Sequence, residues 1–376
     1  MIYLDNAATS LIKPVGVENA VVNAMRSMAS PGRGAHAPAM RAAETVFECR
    51  EAAARLFKVA DAENVVFTMN ATHALNIAIR SVVKPGSRVL VSGFEHNSVT
   101  RPLRMLTDDI TVAGSRLFDE ENTLSEFDEK LRRADAVVCT HVSNAFGYIL
   151  PVYEIAALCR RAGVPLIVDA SQSAGVLDVD FARLGAAFVA MPGHKGLFGP
   201  QGTGILLCGA DALPLMSGGS GSDSISQTMP DYLPDRLEAG THNMPGIAGL
   251  LEGIRFVRGL GTEEIARRER QTARRASELL REVPGVEVFA REDFAHQTGV
   301  LSFRVRGMDC ETLGEQLAAR GIAVRAGLHC APLAHRTAGT LETGTVRISP
   351  SVFTSAWQVE RFAAEVQQIV RENVRL

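Results

Sequence analysis

No apolar run in this 376-residue chain approaches the roughly 20 residues a helix needs to cross a bilayer. The opening Met1-Ile2-Tyr3-Leu4 lacks the basic-then-apolar pattern of an export signal, so a cytoplasmic location is expected. Charge of one sign is lacking too. The 39 Lys and Arg against 42 Asp and Glu leave a net charge of −3, which gives no reason to expect nucleic acid or an anionic membrane as partner. Cysteine is sparse and scattered: Cys49, Cys139, Cys159, Cys208, Cys310 and Cys330 form none of the close pairs of a zinc or redox motif. Five of them lie in apolar or helical patterns and read as small core residues. Cys330 stands apart in the loop Gly327-Leu328-His329-Cys330-Ala331-Pro332. Internal repeats and low-complexity segments are absent. At 46% hydrophobic and 22% charged residues the composition is that of an ordinary globular protein, long enough for one large domain and a smaller one.

What is present centres on Val164 to Gly204. Val164-Pro165-Leu166-Ile167-Val168-Asp169 reads as a strand buried on both faces and ending on a carboxylate. A second apolar run, Ala187-Phe188-Val189-Ala190, leads to Pro192-Gly193-His194-Lys195-Gly196, and Gly199-Pro200-Gln201-Gly202-Thr203-Gly204 follows. In open α/β sheets functional groups sit past the carboxyl ends of such strands. A lone strand-end Asp is more often a helix cap, and a lone Lys is usually on the surface. Together, Asp169 and Lys195 supply what pyridoxal phosphate (PLP) needs: an amine for its aldehyde and a carboxylate for its pyridine nitrogen. Strand Asn64–Thr68, the turn Met69–His73 and helix-like Ala74–Ile79 make a possible anion site at a helix N-terminus, although a plain Thr N-cap would look the same. With no glycine fingerprint there, a dinucleotide is not expected. Further strands at Val89–Ser92, Ile110–Val112, Ala136–Thr140 and Gly202–Cys208 alternate with helical patterns, which predicts a mainly parallel sheet covered by helices on both faces.

The order Asp169-x-x-Gln172…Gly193-His194-Lys195, together with Tyr3-Leu4-Asp5-Asn6-Ala7-Ala8-Thr9 and Arg236–Asn243, resembles the class V aminotransferases of PLP fold type I, in their cysteine desulfurase family. The likeness runs from Tyr3 to Arg347. It implies an α/β large domain with a seven-stranded-type sheet at residues 14–260, and a smaller α+β domain formed by 1–13 and 261–376. It further implies PLP held by Ala71, Thr72 and His194 at the phosphate, His96 on the ring, Asn144 and Gln172 near the phenolic oxygen, Asp169 and Lys195. Thr241 would reach the phosphate of a neighbouring subunit, so a homodimer is expected. His36 would stand at the site entrance, although a loop histidine facing water fits equally well.

The activity implied is conversion of L-cysteine to L-alanine with a persulfide left on Cys330. Lys195 would act as base, while Arg347, Arg325 and Asn144 would receive the substrate; the planar fork of Arg347 suits a carboxylate. His329, Arg325 or the cofactor region could activate the thiol. Arg325–Ala331 resembles the branch with a short cysteine loop. A zinc reading of His329, Cys330 and His335 lacks a fourth ligand at a recognisable spacing. The competing readings are a selenocysteine lyase, another PLP-dependent C–S lyase or aminotransferase, and a sulfur-relay protein that docks an acceptor and turns over poorly alone. Two departures stand out: Pro192 replaces the usual Ser or Thr two residues before His194, and Ser349–Ser355 lacks the common Asn-Thr ending.

Overall fold

In the computed structural model, which describes residues 1–32, 34–222 and 224–373, a seven-stranded sheet forms the centre. Its spatial order is Val65–Thr68, Gly204–Cys208, Phe188–Pro192, Leu166–Asp169, Ala136–Thr140, Val89–Ser92 and Ile110–Ala113. Only Gly204–Cys208 runs against its neighbours; the remaining pairs are parallel. Successive side chains of a strand point to opposite faces, and here both faces are apolar. Val137, Cys139, Val168, Val189 and Met191 pack with the helices Ala37–Phe57, Val152–Ala162 and Met244–Leu260. Their neighbours Ala136, Val138, Ile167, Phe188 and Ala190 pack with Ala71–Val82 and Asn97–Arg104 on the other side. That explains why the strands read as unbroken hydrophobic runs.

A second, antiparallel sheet has the order Arg325–Gly327, Thr345–Ile348, Leu301–Val305, Val286–Phe289. Ile2–Tyr3 pairs in parallel with Ile322–Ala323, so the N-terminus returns to this sheet's neighbourhood. Ile2 and Leu4 share a core with Leu301, Phe303, Val346, Ile348 and the helix Ala356–Asn373.

Local details depart from expectation in small ways. The strand expected from Val164 starts at Leu166. The cap of Ala71–Val82 is Asn70, whose side chain accepts the His73 N–H at 2.9 Å; Thr72 lies inside the first turn. Five cysteines are buried and Cys330 is exposed. Among the described residues, no helix is long and apolar enough to cross a membrane.

Candidate active site

The parallel strands end at one edge of the large sheet, and the segments that follow line a cleft. Eight residues singled out from the sequence converge there: Ala71, Thr72, His96, Asn144, Asp169, Gln172, His194 and Lys195. Asp169 is buried, and one of its oxygens accepts the Ser171 N–H at 2.9 Å. On the adjacent strand's extension, the Lys195 amine is held down to about 8. Burial is the main cause, aided by Arg347 and Arg325 and opposed by Asp169. Burial also lowers His96 to about 4; Asp169 works against this and Lys195 with it. His194 is lowered to about 4 by burial and by Lys195 and Lys13. Both imidazoles are therefore neutral near pH 7.

Each side chain has a reason for its pose. His96 caps the helix Asn97–Arg104, its Nδ1 accepting the Ser98 N–H at 3.0 Å. Ser98 in turn bonds Thr72 Oγ1 at 2.8 Å, which ties the two helix N-termini together. His194 Nδ1 meets Thr9 Oγ1 at 3.0 Å, and Gln172 donates to the Ala7 carbonyl at 3.0 Å, so the N-terminal segment braces the cleft. Because Asn70 takes the His73 N–H, the first-turn N–H groups of Ala71 and Thr72 have no intrahelical acceptor.

Cys330 reaches this edge from the second sheet. His329 and Cys330 both adopt left-handed backbone, at φ 51° and 56°. Their carbonyls are held by the cleft wall and its neighbour: Asn144 Nδ2 donates to His329 O at 2.7 Å, and the Asn97 N–H, next to His96, to Cys330 O at 2.8 Å. Of the three candidate activators, Arg325 is the one that touches the thiol, with Nη2 3.7 Å from Sγ. The His329 ring is buried and bonds Thr345 Oγ1 at 3.1 Å instead. Arg347, 1% exposed, donates through Nη1 to the Asn144 carbonyl at 2.8 Å and through Nη2 to Asp5 at 2.7 Å, while its Nε has no partner.

Two expected residues lie elsewhere in this chain. His36 is an exposed N-cap whose ring accepts the Ala39 N–H at 3.4 Å, and it does not line the cleft. Thr241 is exposed beside Glu238 and His242, in a separate surface hollow. Sequence reasoning missed Asp5, Thr9, Asn97 and Ser98 as partners of site residues. Asp5 and Thr9 stand inside the N-terminal signature, but contacts across 342 and 185 residues leave no spacing to read.

The aminotransferase class-V family model matches residues 2–362, and the chain belongs to that family. Within it, the chain is 32% identical to a probable cysteine desulfurase of Pyrococcus abyssi, over 99% of this chain and 94% of the relative. A probable cysteine desulfurase of Methanothermobacter thermautotrophicus is also 32% identical, over 98% and 94% of the two chains. The solved apo structure of a cysteine desulfurase from Thermococcus onnurineus superposes with a TM-score of 0.90 at 31% identity, over 99% of this chain and 95% of that one. The chain is thus a member of the cysteine desulfurase group, and its fold is that of PLP fold type I.

Proposed function

We propose that this protein is a PLP-dependent cysteine desulfurase that converts L-cysteine to L-alanine and carries the sulfur as a persulfide on Cys330. The observation that carries the reading is a cysteine loop whose His329 and Cys330 carbonyls are held by Asn144, which lines the cleft of Lys195 and Asp169, and by the Asn97 N–H next to His96 of that cleft.

The residues present fit PLP. A buried carboxylate suits a protonated pyridine nitrogen, and a lysine without a hydrogen-bond partner among the described residues suits the aldehyde carbon. Free N–H groups at the helix start, Thr72 and neutral His194 suit the phosphate. His96 would lie against the ring, and Asn144 and Gln172 near the phenolic oxygen. Thr241 would serve the partner subunit's phosphate. When bound, PLP supplies an electron sink that weakens bonds at the substrate's Cα.

The chain's own groups do the rest. With its amine lowered to about 8, Lys195 is partly free base near neutrality and can take the Cα proton and return one. Arg347 receives the substrate carboxylate, with Arg325 and Asn144 beside it. Cys330 Sγ takes the substrate sulfur: the S–S bond forms as the Cβ–S bond breaks, and Cβ keeps the electron pair and gains a proton. L-cysteine and one thiol become L-alanine and one persulfide, so atoms and electrons balance. A thiol acceptor then removes the sulfur.

The two sheets and their separate cores support a division into a large domain at 14–260 and a small one at 1–13 and 261–376. Exposed apolar side chains on the first two helices, among them Val15, Met25, Met40 and Phe47, support a homodimer. The deciding experiment is product analysis with cysteine, selenocysteine and cysteine sulfinate in parallel, on wild type and Cys330→Ala. Alanine from cysteine that vanishes in the variant is the expected result. Undiminished turnover by Cys330→Ala would move the assignment to a lyase or aminotransferase.

A further inference from the structure

The geometry of Arg347 points to Asp5 as a built-in competitor for the substrate's carboxylate, an inference that rests on Arg347 being the carboxylate anchor. A guanidinium offers five N–H donors in a planar fork. In this structure Nη2 gives one to Asp5 Oδ1 at 2.7 Å, Nη1 gives one to the Asn144 carbonyl at 2.8 Å, and Nε is buried with no partner. A carboxylate arriving in two-point fashion can take Nε–H and the second hydrogen of a neighbouring Nη. Asp5 would then stay on the same guanidinium, and two carboxylates would share one cation.

The main chain of Asp5 cannot withdraw far. It bridges to Ser349, two residues beyond Arg347 on the same segment, and its carbonyl accepts the Tyr3 hydroxyl at 3.1 Å. Asn6 adds a side-chain bond to the Ser349 carbonyl at 2.8 Å. The local charge count explains what this arrangement selects. Arg325 lies directly opposite Arg347 across the paired strands. Two guanidiniums against one carboxylate leave a single positive charge, which matches the one carboxylate of an amino acid. Asp5 thus keeps a buried arginine neutralised before substrate arrives and weakens the hold on substrate afterwards. Its part is positional, acting through Arg347.

The test is Asp5→Asn in the purified holoenzyme. The amide keeps the size and can still accept from Nη2, but the competing charge is gone. The KM for cysteine should fall by about fivefold or more, as expected when a like charge is taken from a buried site. Without ligand the variant should melt below wild type, because Arg347 has lost its counter-ion. L-alanine, which carries the carboxylate but no transferable sulfur, should raise its melting temperature further than it raises that of wild type. Asp5→Glu, which keeps the charge, should not lower KM. Asp5→Ser gives the same readings should Asp5→Asn accumulate poorly. A raised KM with a blunted alanine response in both neutral variants would overturn the inference, since Asp5 would then be needed to aim the arginine. Arg347→Gln separates the two levels. If it keeps the full alanine response, the anchor reading fails and takes the inference with it; if the response disappears while Asp5→Asn enhances it, both stand.

Discussion

The cleft and the cysteine loop are built in opposite ways. The cleft stands on the ends of parallel strands whose ladders and two apolar faces hold every backbone segment. Asp169 and Lys195 follow neighbouring strands, and neither needs unusual backbone to reach its place. The loop has consecutive left-handed residues at His329 and Cys330, a conformation that costs a non-glycine residue about 1 kcal/mol or more. It is held by a few bonds to the other body of the protein, through Asn144 and Asn97. One region is rigid by construction, and the other is positioned by docking. The division suits the chemistry: proton transfer needs fixed groups, whereas a sulfur carrier must accept from one partner and give to another.

The largest expected effect comes from removing the reactive group of each region. Lys195→Ala should abolish turnover and prevent borohydride from tethering PLP to the peptide containing residue 195. Cys330→Ala should lower alanine formation from cysteine by about a thousandfold or more while the cofactor remains tethered normally. Mass spectrometry after borohydride, with alanine quantified alongside, separates the two. If Cys330→Ala also lost its cofactor, the two regions would not be separable as described.

Next in size is the link between them. Asn144→Ala removes the bond to the His329 carbonyl and leaves a carbonyl without its donor, a loss of about 1–3 kcal/mol. Turnover should fall by about tenfold to a hundredfold, and hydrogen exchange at residues 328–331 should quicken. Unchanged exchange would mean that the loop's own turn holds it, and that docking is incidental.

How far the sequence could be read follows the same contrast. The large sheet was legible because its central strands are apolar on both faces and polar groups stand at or just past the ends of the two that carry the site: Val168-Asp169, and Met191-Pro192 before His194 and Lys195. The cleft followed from those ends. The loop was legible only as a suspicious cysteine. Nothing in Leu328-His329-Cys330 signals left-handed backbone, a conformation usually marked by glycine. The adjacent His329 looked as good an activator as Arg325. The structure turns His329 inward to Thr345 because Cys330 and His329 point different ways from consecutive left-handed residues. Asp5 was quoted as part of a signature, but its grip on Arg347 depends on the return of the N-terminus to the second sheet, which pairing of Ile2–Tyr3 with Ile322–Ala323 creates.

A smaller effect should appear in the pH dependence of stability. Burial lowers His141 and His335 to about 4, as it does His96 and His194. An unfolded chain takes up these protons near pH 6.5. Between pH 6.5 and about 4 the unfolded state binds protons that the folded state refuses, so stability is lost as pH falls through that window. Glu95 works in the other direction: burial raises it to about 8, so its contribution is present below pH 4.5 and is lost as pH rises towards 8. His141 lies on the cleft side, with an unpartnered Nδ1 and Tyr153 against its ring edge. His141→Phe keeps a planar ring and removes the proton uptake, which should recover about 1–2 kcal/mol at pH 5 relative to its effect at pH 8. Denaturant melts at the two pH values measure this; an equal effect at both would leave the acid sensitivity to His96, His194 and His335.

The smallest effect concerns Pro192, at the rigid end of the comparison, where the resemblance leads one to expect Ser or Thr. Pro192 ends the strand Phe188–Pro192, is buried, and lines the cleft beside His194. Proline can neither donate from its backbone nor offer a hydroxyl to an anion. A Ser or Thr there, as the resemblance leads one to expect, would add one donor for a phosphate. On the proposed reading Thr72, His194 and the first-turn N–H groups would hold the phosphate without it, and the backbone around Pro192 is already fixed by its pairing with Gly204. Pro192→Ser should therefore tighten PLP by about 1 kcal/mol, roughly fivefold in dissociation constant, without altering the rate of alanine formation at saturating cofactor. The gain should be confined to affinity, because a hydroxyl at position 192 would contribute to holding the phosphate rather than to proton or sulfur transfer, and the strand end is not free to shift. Fluorescence titration of PLP into apoprotein reads the affinity, and a rate assay with excess PLP reads the chemistry. A weaker hold on PLP in Pro192→Ser would show that proline's fixed φ contributes more to the strand end than a hydroxyl would contribute to the phosphate.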